Sequence, residues 1–199
     1  MPFPVDFPAL PLTLHHALDG RVEALLRTSA PDDAELWARD WQPVLTDADR
    51  PDGQWPWKEH ISRARSDAGW LALTLGRGST LDGLLSLRLA PGGSRLSLGA
   101  DIVYVEYIGI APSHQWPPLG QRLIRGIGKT LMLATMRTSQ KIGCRGRVGL
   151  HSKPDAVPFY RSLRMTEVEY EQTDDGRWLY FETTPDIAML HVGDEAEQP

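Results

Sequence analysis

The chain has a single cysteine, Cys144, among its 199 residues. An intrachain disulfide needs two cysteines and a thiolate zinc site needs several, so the sequence excludes both. The six histidines show no HxxxH spacing. The close pair His15 and His16 consists of adjacent residues, which do not face one site on a helix. We therefore expect no metal site.

Long apolar stretches and basic runs are also missing. No segment approaches the roughly 18 consecutive apolar residues of a membrane span, and the first residues lack the features of a signal peptide. The formal net charge is −5 without any run of lysine and arginine, which argues against a broad nucleic-acid surface. We expect a cytoplasmic protein without nucleic-acid or membrane partners, whose acidic balance is compatible with a cationic amine substrate.

Length and composition suit one globular domain. The chain is 41% hydrophobic and 24% charged, as is ordinary for a soluble protein, and it is long enough to bury a substantial core. We predict one α/β domain over residues 1–184, with a helical, substrate-side part at 1–68 and a core at 69–184. Residues 185–199 are expected to form a loose, polar and acidic tail.

Hydrophobic periodicity and turn residues predict the elements. Residues 1–18 are rich in proline and are expected to be irregular, with Asp19 as the cap of a first helix. The predicted helices cover 21–29, a segment from 31 onward, 58–65, 126–142 and 154–163. The predicted strands cover 69–75, 83–89, 102–110, 147–151, 167–172 and 178–183. This order predicts a single mixed α/β sheet.

The stretch 101–165 carries the strongest functional pattern. An apolar strand, Ile102–Ile110, precedes the turn Arg125-Gly126-Ile127-Gly128, which opens a helix. A turn of this kind at a helix start presents backbone N–H groups and the positive end of the helix dipole to an anion. We expect it to hold phosphate groups, with Arg125 and Lys129 as countercharges.

Two other interpretations of the turn are weaker. Gly128-Lys129-Thr130 matches the end of a mononucleotide-binding GxxxxGK[ST] motif, but Leu123 stands where the first glycine belongs. A dinucleotide-binding GxGxxG motif fails because Leu131 occupies its third glycine position.

The whole order of motifs is more specific than the turn alone. The strand at 102–110, the turn Arg125–Lys129, the strand at 147–151 and the pair Phe159-Tyr160 together resemble the GCN5-related N-acetyltransferase (GNAT) superfamily. The resemblance covers residues 69–183. It implies a mixed, mostly antiparallel central sheet flanked by helices, with acetyl-CoA as the cosubstrate. The residues it places at the coenzyme are Ile108, Gly109, Ile110, Ile124, Arg125, Gly126, Ile127, Gly128, Lys129 and Thr130.

The resemblance also implies catalytic roles. Acetyl transfer needs a deprotonated amine and a protonated leaving thiolate. Glu106, which strand alternation puts on one face with Tyr104, is the predicted base, and His151 is the alternative base. Tyr160 is the predicted acid, so that the thioester lies between Glu106 and Tyr160. The structural alternatives are an ion pair at Glu106 and simple packing of Tyr160 beside Phe159.

The acceptor is expected to be a primary amine of a small molecule or peptide, and a homodimer is an open alternative. The chain is longer than the family pattern between Pro112 and Arg125, and residues 114–120 are expected to form a flap. Trp55, Trp57 and Trp116 are expected to line the acceptor pocket, and Asp47, Asp49 and Asp52 are candidate amine partners.

Direct transfer in a ternary complex is expected, because Cys144 lacks an activating partner in the sequence. A non-catalytic acyl-CoA-binding regulatory domain is the alternative function. Trp37 and Trp41, one helical turn apart, are expected to pack a helix on the sheet.

Overall fold

A computed structural model of the chain describes residues 3, 7–18, 20–115, 121, 123–173 and 176–193. The strands are β1 Leu10–His16, β2 Gly20–Thr28, β3 Trp70–Arg77, β4 Thr80–Ala90, β5 Ile102–Ile110, β6 Ile124–Arg125, β7 Val148–Ser152, β8 Thr166–Thr173 and β9 Gly176–Glu182. The helices are α1 Pro31–Asp40, α2 Gln42–Asp47, α3 Trp57–Ser66, α4 Ile127–Lys141, α5 Val157–Ser162 and α6 Pro185–Val192.

The strands of the described chain form one open sheet in the order β6-β1-β2-β3-β4-β5-β7-β9-β8. β5 and β7 run parallel, whereas β1–β2, β1–β6, β2–β3, β7–β9 and β8–β9 are antiparallel pairs. The predicted mixed, mostly antiparallel sheet with flanking helices is thereby confirmed. The β5–β7 ladder ends at its second pair, Tyr104↔Gly149, although β5 continues to Ile110.

The chain divides into two compact units by its internal packing. The first, called here the N-terminal unit, comprises Phe3–Ser86 and Tyr107–Leu131. Its aromatic core contains Trp37, Trp41 and Trp57 together with aliphatic side chains of β4. Trp37 and Trp41 are 6% and 3% exposed, so the expectation that they pack α1 onto the sheet is confirmed.

The second, called here the C-terminal unit, comprises mainly Leu87–Glu106 and Met132–Pro199. Leu150 of β7 and Phe181 of β9 are paired neighbours in its buried centre. Ala188 of α6 packs against Gly146, where an added Cβ would lie 2.4 Å from the alanine Cβ. The glycine therefore allows α6 to approach the loop before β7.

The N-terminal prediction is wrong. The structure has the antiparallel hairpin β1–β2 where the sequence predicted an irregular segment and a helix over 21–29. Val22, Ala24 and Leu26 point inward along β2 while Glu23 and Leu25 are exposed, which is the period of a strand. The predicted cap Asp19 lies outside the described residues.

The predicted loose tail is also wrong over its first part, because residues 185–192 form α6. Thr184 caps this helix by accepting a hydrogen bond from the Ile187 amide at 3.3 Å. His191 Nε2 donates to the Leu163 carbonyl at 2.8 Å, and Ala188 is fully buried. Within the described part of the chain, no helix combines the length and the apolar character needed to cross a bilayer.

Candidate functional site

The turn before α4 is held by the N-terminal strand. β6 pairs with β1, which places Arg125 opposite His15. Gly126 turns the chain with φ +87°, a conformation that favours glycine. The first helical bond runs from the Thr130 amide to the Gly126 carbonyl at 2.8 Å. The preceding amides, at 127–129, have no partner within the helix, as at any helix start, and form a ready anion site.

Among the described residues, none crowds the Cα of Gly126. An added Cβ at Gly126 would meet no described atom within 4 Å, so its φ angle, rather than crowding, explains the glycine. Arg125 and Lys129 are exposed beside it. Ile124 and Ile127 are each 2% exposed and anchor the turn from below. The predicted residues at the helix start therefore form a turn with exposed cations beside the first amides of α4.

Close packing on β4 fixes where α4 begins. An added Cβ at Gly83 would lie 2.9 Å from Ile127 Cγ2 and 3.1 Å from Leu131 Cδ1. Because residue 83 has no side chain, the first turns of α4 lie directly on β4. The glycine that matters for the helix position is therefore one that motif analysis did not single out.

Core side chains pack against the end of β5, where the sequence predicted contacts with the coenzyme. An added Cβ at Gly109 would meet Trp57 at 3.2 Å and Trp41 at 3.3 Å, so the indole rings fill the side-chain space of this glycine. Gln115 Nε2 donates to the Ile110 carbonyl at 2.8 Å. Ile108 and Ile110 are partly exposed. The side-chain space of Gly109 is thus closed by the core of the N-terminal unit.

A buried ionic cluster ties the segment after β5 to β4. His114 Nε2 donates to Asp82 Oδ1 at 2.8 Å, and Arg77 donates to both oxygens of that carboxylate at 2.8 and 3.0 Å. Burial by itself would raise the pKa of Asp82, but the bonds from His114 and Arg77 outweigh burial and lower the pKa. Of the predicted flap, residues 114 and 115 are described; residues 116–120, with Trp116, lie outside the described residues.

Glu106 lies in an ion pair. The guanidinium of Arg88 on β4 donates to its carboxylate, and the Glu106 side chain is 22% exposed. The same guanidinium stacks 4.5 Å above the ring of Tyr104. The predicted base thus lies beside a cation and an aromatic ring. Its ion pair with Arg88 is the structural role that the sequence analysis gave as the alternative for Glu106.

A hydrogen-bonded chain runs from Tyr104 to Glu171. The Tyr104 hydroxyl lies 2.5 Å from His151 Nδ1, and His151 Nε2 lies 2.7 Å from Glu171 Oε2. The bond from Arg95 lowers the pKa of Glu171, which burial alone would raise. An ionised carboxylate only accepts, so Nε2 carries a proton. In the neutral ring Nδ1 then accepts from the Tyr104 hydroxyl.

Tyr104 keeps its proton at ordinary pH. Burial and the nearby charge of Glu106 raise the pKa of Tyr104 to about 12. His151 is partly exposed and its ring also packs 5.1 Å from the ring of Tyr180. The chain Tyr104–His151–Glu171 is therefore oriented like a relay, with a hydroxyl at one end and a carboxylate at the other.

Tyr160 is packed into the C-terminal unit. It is 5% exposed, with ring centroids 5.0 Å from Phe159 and 5.6 Å from Phe181. Burial, and to a smaller extent the charge of Asp155, raises the pKa of the Tyr160 phenol above its ordinary value. This environment corresponds to the structural alternative, in which Tyr160 caps the core beside Phe159.

Comparison with known proteins identifies the fold. No family model matches the chain, and no curated protein matches it. Arabidopsis thaliana NAA60 in complex with acetyl-CoA is 15% identical, with a TM-score of 0.58 over 80% of this chain and 97% of that chain. PaiA N-acetyltransferase from Thermoplasma acidophilum, in complex with coenzyme A, is 16% identical, with a TM-score of 0.55 over 82% and 99%. An acetyltransferase of the GNAT family from Streptococcus pneumoniae is 15% identical, with a TM-score of 0.57 over 80% and 98%. The chain has the GNAT fold.

Within this GNAT fold, the two predicted catalytic residues lie on opposite faces of the sheet. Tyr160 packs on Phe181, which pairs with Leu150, whereas His151 is the next residue along β7 and faces the other way. Tyr104 bonds His151, and Glu106 shares the face of Tyr104 by strand alternation. The structure therefore groups Glu106 with the relay and separates it from Tyr160.

Sequence reasoning missed three residues that contact this group or belong to it, namely Arg88, Arg95 and Glu171. Alternation along β5 did place Tyr104 beside Glu106, but no role was assigned to it. Arg88 lies on β4, Arg95 in the segment between β4 and β5, and Glu171 on β8. No local pattern connects these residues with position 106 or 151, and only the fold brings them together.

The tryptophans of the predicted acceptor pocket differ from one another. Trp57 is 1% exposed and belongs to the core at the start of α3, so it cannot contact an acceptor. Trp55 is half-buried against Tyr107, with ring centroids 4.9 Å apart. Asp52 is 9% exposed and paired with Arg50 at 3.2 Å, which leaves it poorly suited to bind an amine.

Proposed function

We propose that the chain is an acetyl-CoA-dependent N-acetyltransferase that transfers acetyl to a primary amine by direct attack within a ternary complex. The observation that carries this proposal is the grouping of Glu106, Tyr104, His151 and Glu171 on one sheet face. The β5–β7 ladder ends beside them, at Tyr104↔Gly149. The GNAT fold, shared with acetyltransferases, supports the same conclusion.

The start of α4 would hold the diphosphate of the coenzyme. The amides at 127–129 and the positive φ of Gly126 suit close approach of an anion, and Arg125 and Lys129 supply countercharge. Bound acetyl-CoA supplies a thioester whose carbonyl carbon the amine attacks.

The acceptor amine must lose a proton, and His151 is the better placed base. As the amine attacks, its proton passes to the Tyr104 oxygen while the Tyr104 proton passes to His151 Nδ1. The imidazolium that results lies against the Glu171 carboxylate, which stabilises it. Glu106, already bonded to Arg88, attracts the incoming ammonium and is the alternative base.

The leaving thiolate must gain a proton. Tyr160 holds its phenolic proton at neutral pH, but its raised pKa makes transfer to a thiolate, with an ordinary pKa of about 8.5, unfavourable. We therefore expect Tyr160 to contribute less to turnover than His151. Water is the other proton source.

A non-catalytic acyl-CoA-binding domain is the second candidate function. Two observations favour it: the Glu106 carboxylate is bonded to Arg88, and Tyr160 is packed between aromatic rings. This candidate keeps the turn at α4 and predicts coenzyme binding without turnover.

The test is acetylation of a panel of primary amines, including peptides with free N-termini, lysine peptides, polyamines and aminoglycosides. Acetylated amine and free coenzyme are measured by mass spectrometry, and coenzyme binding by calorimetry. We expect turnover on at least one amine, with His151→Asn lowering kcat/KM by about 10²- to 10⁴-fold. Tyr104→Phe should also lower it, and Tyr170→Phe, on an exposed phenol of β8, is the matched control.

Each other outcome is informative. Binding without turnover on any amine favours the non-catalytic domain, and absence of both overturns the proposal. A larger loss for Glu106→Gln than for His151→Asn would make Glu106 the base.

A further inference from the structure

Glu171 reaches His151 across an intervening strand. His151 is on β7, Glu171 is on β8, and β9 lies between them in the sheet. The two side chains nevertheless meet, with His151 Nε2 2.7 Å from Glu171 Oε2. The contact passes over Tyr180 of β9, which pairs with His151.

An irregularity in β8 makes this contact possible. Glu167 pairs with Phe181, but Tyr170 pairs with Leu179, so two residues of β8 stand opposite the single Tyr180. Beyond this bulge Glu171 pairs with Trp178 and shares the sheet face of Tyr180 and His151. In unbroken register Glu171 would instead pair with Arg177 and point to the opposite face. Bulges commonly re-aim a side chain next to a functional site.

Arg95 fixes the carboxylate in place. Its guanidinium bonds the second oxygen of Glu171, binds Glu169 at 3.0 Å and stacks 3.8 Å above the ring of Tyr180. Glu171 is 34% exposed, so without such a partner its side chain would be free to turn to solvent. The carboxylate is thus held from one side by Arg95 and presented to His151 on the other.

We propose that Glu171, re-aimed by the bulge in β8 and held by Arg95, is a positioning residue that fixes His151 in the tautomer whose Nδ1 accepts from Tyr104. The inference rests on the proposed function, because it assigns His151 to the acetyl-transfer reaction. A carboxylate accepts only a donated N–H, so it selects the Nε2–H form. That form leaves the Nδ1 lone pair for the proton that reaches Tyr104.

The experiment compares Glu171→Gln with wild type by two independent readouts. The nitrogen-15 shifts of the His151 ring report the tautomer in the coenzyme-free protein, without any turnover. We expect the Nε2–H form in wild type and a mixture of tautomers in Glu171→Gln. With the best amine, kcat should fall by roughly 10- to 100-fold while KM for acetyl-CoA stays unchanged.

The controls separate positioning from folding. Glu169→Gln removes the other carboxylate on Arg95 and should leave both readouts as in wild type. Glu171→Asp keeps the charge and should retain more of the Nε2–H form than Glu171→Gln. Thermal unfolding of each variant checks that the fold is intact.

The outcomes distinguish this inference from the proposed function. An unchanged His151 tautomer and an unchanged kcat in Glu171→Gln would overturn the inference and leave the acetyltransferase proposal standing. Absence of turnover in wild type would overturn the function, whereas the nitrogen-15 spectra would still decide whether Glu171 sets the tautomer.

Discussion

At the scale of single residues, the buried carboxylate of Asp33 holds the first helix, α1, in place. Asp33 on α1 accepts two hydrogen bonds from Arg27 at 2.7 and 2.8 Å, one from the Ala30 amide at 2.7 Å and one from the Thr74 hydroxyl at 2.8 Å. It is 1% exposed. The same side chain therefore caps α1, neutralises a cation on β2 and ties α1 to β3.

Replacing Asp33 should destabilise the protein strongly. Asp33→Asn keeps the volume but loses the charge and leaves donors of Arg27, Ala30 or Thr74 without an acceptor, so we expect a loss of about 3 kcal/mol in the free energy of unfolding. Urea unfolding followed by tryptophan fluorescence measures this loss. Asp32→Asn, at the exposed preceding position, is the control and should change stability by less than about 0.5 kcal/mol. Equal effects of the two substitutions would contradict the proposed importance of this network.

The candidate catalytic residues show which properties of a residue can be predicted from its position in the sequence. Strand alternation along 102–110 was sufficient to place Glu106 and Tyr104 on one face. It could not show that Arg88, on another strand, donates a hydrogen bond to the Glu106 carboxylate. Chemistry-bearing residue types are visible in a sequence, but the partners that set their behaviour come from strand pairing.

At the scale of single elements, the misassigned strand β2 has an identifiable cause. Val22, Leu25 and Leu26 have helical spacing, and this pattern predicted a helix. In the structure Leu25 is 40% exposed, and the inward positions are Val22, Ala24 and Leu26. One exposed leucine therefore changed the apparent period from two to that of a helix.

The position of α4 can be tested through Gly83. Gly83→Val would press a branched side chain against Ile127 and Leu131, and such overpacking costs about 1–3 kcal/mol of stability. Leu131→Ala alone should also destabilise, because Leu131 is fully buried.

The double variant is the decisive measurement for this element. If crowding is the cause, Gly83→Val with Leu131→Ala should be more stable than the sum of the two single losses predicts, as measured by urea unfolding. Strict additivity would show that Gly83 does not set the approach of α4 to β4.

Element prediction was successful where helices and strands alternate with clear turns. The strand at 102–110, the helix that follows Gly126 and the C-terminal hairpin match β5, α4 and β8–β9. The bulge in β8 was not predictable, because nothing in the residues 166–173 distinguishes an inserted residue from regular alternation. That bulge decides which face Glu171 occupies.

For the whole molecule, two groups of side chains set how stability depends on pH. Burial alone would raise the pKa of Asp33 and of Asp82, but hydrogen bonds from Arg27 to the first, and from His114 and Arg77 to the second, outweigh burial and lower both pKa values. At the alkaline end, burial raises the pKa of Tyr160 and takes that of Tyr104 to about 12.

We therefore expect stability to fall at both extremes. Below about pH 4 the carboxylates are protonated more readily in the unfolded chain than in the folded protein, so acid favours unfolding. Above about pH 10 the tyrosines lose their protons more readily in the unfolded chain, so alkali favours unfolding as well. Urea unfolding from pH 3 to 12 measures the curve. Asp33→Asn should flatten its acid side, and a stability that stays constant between pH 7 and 3 would contradict the expectation.

The fold was predictable from the sequence over residues 69–183, because motif order and resemblance reinforced each other there. The first 30 residues offered only composition and an ambiguous period, and there the prediction was wrong. The turn before α4 follows from Gly126 and the helix after it. The relay through His151 and Glu171 does not, since it depends on strand order and on one bulge.

The buried Cys144 has a practical consequence. It is the only cysteine of the chain, it is 1% exposed, and burial raises the pKa of its thiol. If the proposed acetyl transfer takes place, a chromogenic disulfide reagent added to the folded protein should therefore react with the liberated coenzyme and leave Cys144 unmodified, giving a continuous assay with little background. Likewise, one surface cysteine introduced by mutagenesis would accept a fluorophore at a single defined position, without prior removal of Cys144.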